Sequence, residues 1–114
     1  MISLSLIVLR TTRMESLRVF YDAIGLTFVE EQHGTGPVHY ACELDGVVIE
    51  LYPTVLTETD STMLGFNVES LDIVLANLQA AGLLPDLPPD TAEKGEYTFQ
   101  DPDGRRVQLT EVWE

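Results

Sequence analysis

Two Asp-Gly turns in this chain are each followed, four residues after the glycine, by a polar side chain. Asp45-Gly46 leads to Glu50 in "ACELDGVVIELYP" (41–53), and Asp103-Gly104 leads to Gln108 in "YTFQDPDGRRVQLTEVW" (97–113). A carboxylate on a strand can act as a general base when burial raises its pKa, or as one ligand of a divalent metal. A neutral amide supplies hydrogen bonds and little else. A two-residue turn at Asp45-Gly46 sets Ala41 opposite Glu50 and His39 opposite Tyr52. Period-two alternation puts Ile49 and Leu51 toward a core and Val48, Glu50 and Tyr52 on an open face. In the last strand Val107 and Leu109 turn inward, leaving Arg106, Gln108 and Thr110 open. Leu6, Val8 and Arg10, and then Met63, Gly65 and Asn67, take the open side of two further strands. The candidate ligand-binding residues are therefore Glu50, Tyr52, His39, Arg10, Met63, Asn67, Arg106 and Gln108, an acid, an amide, arginines and apolar and aromatic surface suited to a small organic molecule. If any residue is catalytic, it is Glu50. Two bland readings stand beside these: Glu50 as a strand residue paired with Arg106 or Arg10, and His39 as a structural histidine.

The elements that must position these residues repeat. The segment 3–10 reads as a buried strand. Met14, Leu17, Tyr21 and Ile24 recur at helical spacing, with Thr12 and Glu15 placed as a capping box and Gly25 as a stop. Strands follow at 26–32, 38–44 and 47–53, separated by the loop "HGTGP" and the first Asp-Gly turn. The second half reads strand 62–68, a helix capped by Ser70 with apolar face Leu71, Val74, Leu75 and Leu78, a stop at Gly82, and a proline-rich connection with a short edge strand. Two strands then flank the Asp101-Pro102-Asp103-Gly104 turn. Corresponding landmarks (Thr12 and Ser70, Gly25 and Gly82, Gly46 and Gly104, Glu50 and Gln108) are offset by 57 or 58 residues. The expected fold is α+β: two βαβββ modules, about 1–55 and 60–114 of one 1–114 domain, forming a curved eight-stranded mixed sheet with helices on its outer face.

The net charge is −13, which argues against nucleic acid and anionic membrane surfaces as partners. The acids are scattered, which serves solubility, and their field also favours a cationic ligand. No apolar run has the length of a membrane helix, and the apolar start lacks the preceding basic region of a signal peptide. The one cysteine, Cys42, gives no intramolecular disulfide and no multi-cysteine metal site. A cytoplasmic protein is expected. The glycines of "EQHGTGP" lack a following helix and make a poor phosphate cradle. His33 is read there as solvent-exposed, with no role.

"SLRVFYDAIGLTFVEE", "GVVIELYP", "LGFNVESLDIVLANLQAAGL" and "FQDPDGRRVQLTE" together resemble the vicinal oxygen chelate superfamily of glyoxalases, extradiol dioxygenases, fosfomycin resistance enzymes and bleomycin resistance proteins. The resemblance covers almost the whole chain. It implies paired βαβββ modules and a homodimer with clefts near or across the subunit interface. It also implies, for the enzymes, one divalent metal held by histidine or glutamate on the first and last strands of each module. Carried over, those positions fall at Leu6, Glu50, Met63 and Gln108. A shift of one residue reaches Ser5, Ile7, Thr62 or Leu64, no better as ligands. Hence no metal and no cofactor are expected, beyond an atypical site of Glu50, His39 and water. The reading is a homodimeric small-molecule-binding protein, its ligand cationic or aromatic, held in the concave cleft. The alternatives are a lyase, isomerase or dioxygenase using Glu50 and an atypical metal site, and an interaction module whose hollow is filled by its own side chains. Trp113 is the only tryptophan, at the C-terminal edge.

Overall fold

The computed structural model describes residues 1–58, 60–84 and 95–112. The first module runs β1 (Leu6–Thr11), α1 (Met14–Ile24), β2 (Val29–Glu31), β3 (His39–Leu44) and β4 (Val47–Pro53). The second runs β5 (Met63–Val68), α2 (Leu71–Ala80), β6 (Glu96–Gln100) and β7 (Arg106–Glu111). The expected edge strand of the proline-rich connection, and Trp113, lie outside the described residues. The described elements run βαβββ in the first module and βαββ in the second, and no described helix is long and apolar enough to cross a membrane.

The described strands divide into two sheets, ordered β1-β4-β3-β2 and β5-β7-β6. In each, the first strand of the module pairs in parallel with the last, and the hairpin strands pair antiparallel. Both sheets turn their apolar faces to one shared core. Leu9, Ile49 and Leu51 come from the first sheet, Val107 and Leu109 from the second, and Leu17, Phe20, Leu75 and Leu78 from the two helices. Aromatic rings cross between the modules: Phe20 lies 5.2 Å from Phe99, and Tyr21 6.2 Å from Phe66. One continuous sheet is not what the described strands form, because each sheet must bury its own apolar face and the helix pair supplies a single surface for both.

Local chemistry accounts for most boundaries. Ser70 caps α2, its Oγ accepting from the Ile73 amide at 3.3 Å. Helix α1 begins differently from the capping box expected of Thr12 and Glu15. Arg13 occupies the cap without a side-chain capping bond, Thr11 Oγ1 accepts from the Arg13 amide at 2.8 Å, and the Glu15 carboxylate is engaged by Arg18 instead. The first hairpin turn has Asp45 at φ 51° and Gly46 at φ 85°, the two left-handed residues that a tight turn matched to strand twist requires. Gly46→Ala is expected to cost about 1 kcal/mol from backbone strain, since an added Cβ meets nothing within 4 Å. Urea denaturation measures it, and an unchanged midpoint would refute the turn assignment.

Candidate functional site

The register is the one the turn dictates: Ala41 pairs with Glu50 on β3 and β4, and Val8 lies opposite Glu50 on β1. Four of the eight predicted residues gather on the open face of the four-stranded sheet. The His39 ring stacks on Tyr52, centroids 4.7 Å apart, and the Arg10 guanidinium lies over the other end of the layer, 5.5 Å from the Tyr52 ring. His39 Nε2 is 3.3 Å from Glu50 Oε2. His39 is buried and Glu50 and Tyr52 are half-buried, whereas Arg10 is exposed.

The other four sit on the second sheet, where Met63 pairs with Arg106 and Gly65 with Gln108. Asn67 stands at the far end and borders a different cavity, about 470 Å³, at the junction of α1, β5 and α2 beside Leu26, Phe66 and Ile73. No hydrogen bond or ion pair joins the two groups of four among the described residues. The junction cavity has mostly apolar walls, and Ser70, one of its few polar groups, is already used as a helix cap. A shallower groove of about 320 Å³ runs along the open face past Val29, Glu31, Ala41 and Val48, and convergent polar groups mark a binding site better than volume does.

The sequence reading missed two residues of this face, Glu31 and His33. Glu31 Oε2 lies 3.4 Å from His39 Nε2 and 3.5 Å from His33 Nε2. The ligand atoms of Glu31, His33 and His39 all fall within 4.8 Å of one another. The only signal for this in the sequence is the spacing Glu31, His33, His39 across a glycine-containing loop, which becomes a cluster because β2 and β3 pair Glu31 with His39. His39 Nδ1 lies 3.2 Å from the Pro37 carbonyl oxygen, which as an acceptor fixes the ring with its proton on Nδ1.

The metal of the superfamily's enzymes does not fit its own positions here. Around Glu50 and Gln108 the strands place Leu6, Val8, Met63 and Gly65, which offer a divalent ion no carboxylate or imidazole.

A second cluster is structural. The Asp101 carboxylate accepts from the Tyr21 hydroxyl at 2.8 Å and from the Asp103 and Arg105 amides. Buried Arg105 donates to Asp60, Asp101, Asp103 and the Arg10 carbonyl. Burial and the nearby Asp101 charge push the Tyr21 phenol far above its usual range. Burial opposes the Arg105 charge, but the three carboxylates outweigh it and hold the guanidinium protonated. Burial also raises the Cys42 thiol, the opposite of what a nucleophilic cysteine needs.

Comparison with known proteins agrees with this fold. The chain's fold is similar to that of the oxidase ChaP-H2 (18% identity, 98% of this chain and 94% of that one, TM-score 0.72). It is also similar to TnmS3, an antibiotic binding protein from Streptomyces sp. CB03234 (19%, 99% and 98%, TM-score 0.68). A third similar fold is the protein VPC_CASS1 from the mobile metagenome of V. Pseudocholerae (21%, 100% and 97%, TM-score 0.70). No curated protein sequence matches the chain. The family model of the Glyoxalase/Bleomycin resistance protein/Dioxygenase superfamily matches residues 3–109. With two repeated modules of strands around a helix over that span, the chain belongs to the glyoxalase/bleomycin resistance protein/dioxygenase superfamily.

Proposed function

We propose that the protein is a cytoplasmic small-molecule-binding member of its superfamily, holding a cationic or aromatic ligand against Arg10, His39, Glu50 and Tyr52 without using a metal at the family positions. The observation that carries the reading is Glu50, a half-buried carboxylate set among stacked rings where the surrounding family positions are apolar. A carboxylate flanked by aromatic faces suits a cation with a flat apolar body. The likeness to an antibiotic binding protein supports it, as does the acidic charge, which steers cations toward the chain.

The ligand is enclosed by a second copy. Leu6, Val8 and Met63 on the two open faces are 50%, 36% and 51% exposed. β1 and β5 each have one edge with no strand partner among the described residues. Unpaired edges invite pairing with another chain. A homodimer that sets β5 of one copy beside β1 of the other brings Met63, Asn67, Arg106 and Gln108 to face Glu50. Leu6→Lys places a charge in that contact and is expected to convert a dimer to a monomer in sedimentation equilibrium, with the melting temperature of the monomer unit retained. A wild-type chain that sediments as a monomer would sink the dimer.

An enzyme, a lyase, isomerase or dioxygenase with Glu50 as general base, is the competing reading. The imidazole held 3.3 Å from the Glu50 carboxylate favours it. Both readings are separated by whether a bound compound is recovered unchanged.

A further inference from the structure

We propose that Glu31, His33 and His39 form a binding site for one zinc-type divalent ion, displaced from the family's metal position toward β2 and the β2–β3 loop. The inference goes beyond ligand binding and shares only His39 with the face proposed for the organic ligand.

The case starts from His39 Nε2, which is buried and makes no hydrogen bond. With its proton on Nδ1, facing the Pro37 carbonyl, Nε2 presents a lone pair. That lone pair points among carboxylate oxygens, Glu31 Oε2 at 3.4 Å and Glu50 Oε2 at 3.3 Å. Carboxylate oxygens held this close to a buried lone pair are unfavourable unless a cation lies between them.

The spacing fits a metal better. Zinc bonds to imidazole nitrogen and carboxylate oxygen are about 2.0–2.1 Å in a tetrahedron, so neighbouring ligand atoms lie about 3.3–3.4 Å apart. Here Glu31 Oε2 lies 3.4 Å from His39 Nε2 and 3.5 Å from His33 Nε2, and the three ligand atoms all lie within 4.8 Å of one another, leaving a fourth position for water. Two imidazoles with a carboxylate select borderline ions such as Zn²⁺ over Mg²⁺ or Ca²⁺. The His39–Pro37 contact is the outer support that metal-ligating histidines use to fix their orientation. The Tyr52 ring covers one face of His39 and the His33 ring lies 5.2 Å from it, so the site is walled by aromatic groups. The Arg10 guanidinium sits beyond the Tyr52 ring and pairs with none of these carboxylates among the described residues. Bound there, the ion would tether the loop carrying His33 to the sheet, at the rim of the groove beside Glu31.

The test uses the full chain, stripped of metal and titrated with Zn²⁺ against a chromogenic chelator. One ion per chain is expected. Glu31→Gln and His33→Ala, on half-exposed and exposed side chains that leave the core intact, are each expected to weaken it at least about tenfold, since loss of outer-shell support alone costs that much. Substituted Co²⁺ should give the intense visible absorption of a tetrahedral site in the wild type and lose it in these variants. Circular dichroism melting of the metal-free variants reports that each is folded. No stoichiometric zinc in the wild type, or an affinity that both folded variants leave unchanged, overturns the site. Zinc is read here without the organic ligand, so failure of the binding function leaves this result unaffected.

Discussion

Replacing Arg105 by methionine is expected to destabilise the protein by about 3–5 kcal/mol, the usual consequence of removing one partner from a buried ion pair. The guanidinium is 2% exposed and Asp101 4%, so the Asp101 charge would be left with little solvent to screen it. Its remaining donors, the Tyr21 hydroxyl and two backbone amides, stabilise the carboxylate but do not neutralise it. Arg105 also reaches Asp60 at 2.9 Å and the Arg10 carbonyl at 2.6 Å. It therefore ties the segment before β5 and the end of β1 to the turn before β7. Against a total stability of about 5–15 kcal/mol for a domain, the loss is large enough to lower expression as well as melting temperature. Asp101→Asn in the same background removes the stranded charge and should restore part of the loss, a coupling that a double-mutant cycle reads directly. A cost below about 1 kcal/mol in urea denaturation would mean that the cluster is hydrated and that the ion pairs are worth no more than surface ones.

Phe20→Ala is expected to cost about 3–5 kcal/mol, in the range for deleting a buried aromatic side chain. The ring is 1% exposed. It stands edge-on to Tyr21 at 5.0 Å and tilted on Phe99 at 5.2 Å, so it carries first-module helix surface onto second-module sheet. Because one core serves both modules, the variant should still unfold in a single transition, with circular dichroism and tyrosine fluorescence coincident. Two separated transitions, or a cost near that of a surface residue, would show that the modules are held together elsewhere.

Short-range chemistry in the sequence carried most of the fold. The Asp45-Gly46 turn set the register that pairs Ala41 with Glu50, and alternation assigned Leu51, Val107 and Leu109 correctly to the core. The repeat at 57–58 residues followed from helix stops and hairpin turns, which are local signals. What sequence left open depends on contacts between distant segments. Arg105 read as one of two arginines after a turn; its burial comes from Asp60 and the Arg10 carbonyl, 45 and 95 residues away. Glu31 fell in the expected strand 26–32 and His33 read as a solvent-exposed loop residue, and they become partners of His39 only when β2 folds back on β3. The Thr12–Glu15 capping box has the right spacing, but Thr11 and Arg18 compete for its two halves. The division of the described strands into two sheets depends on which surface of the helix pair each sheet takes, and periodicity along one strand carries no such information.

The measurement that tests the central claim most directly is a thermal-shift and calorimetric screen of cationic aromatic antibiotics against the wild type and Glu50→Gln, with each bound compound recovered and weighed by mass spectrometry. Binding reported by mass action at one hundred times Kd is worth about 2.7 kcal/mol, a rise in melting temperature on the order of 10 °C for a chain of this size. The account predicts one compound bound per chain, returned chemically unchanged, with affinity at least about tenfold weaker in Glu50→Gln, a loss of about 1.4 kcal/mol. A compound returned altered, or binding indifferent to Glu50, would contradict it.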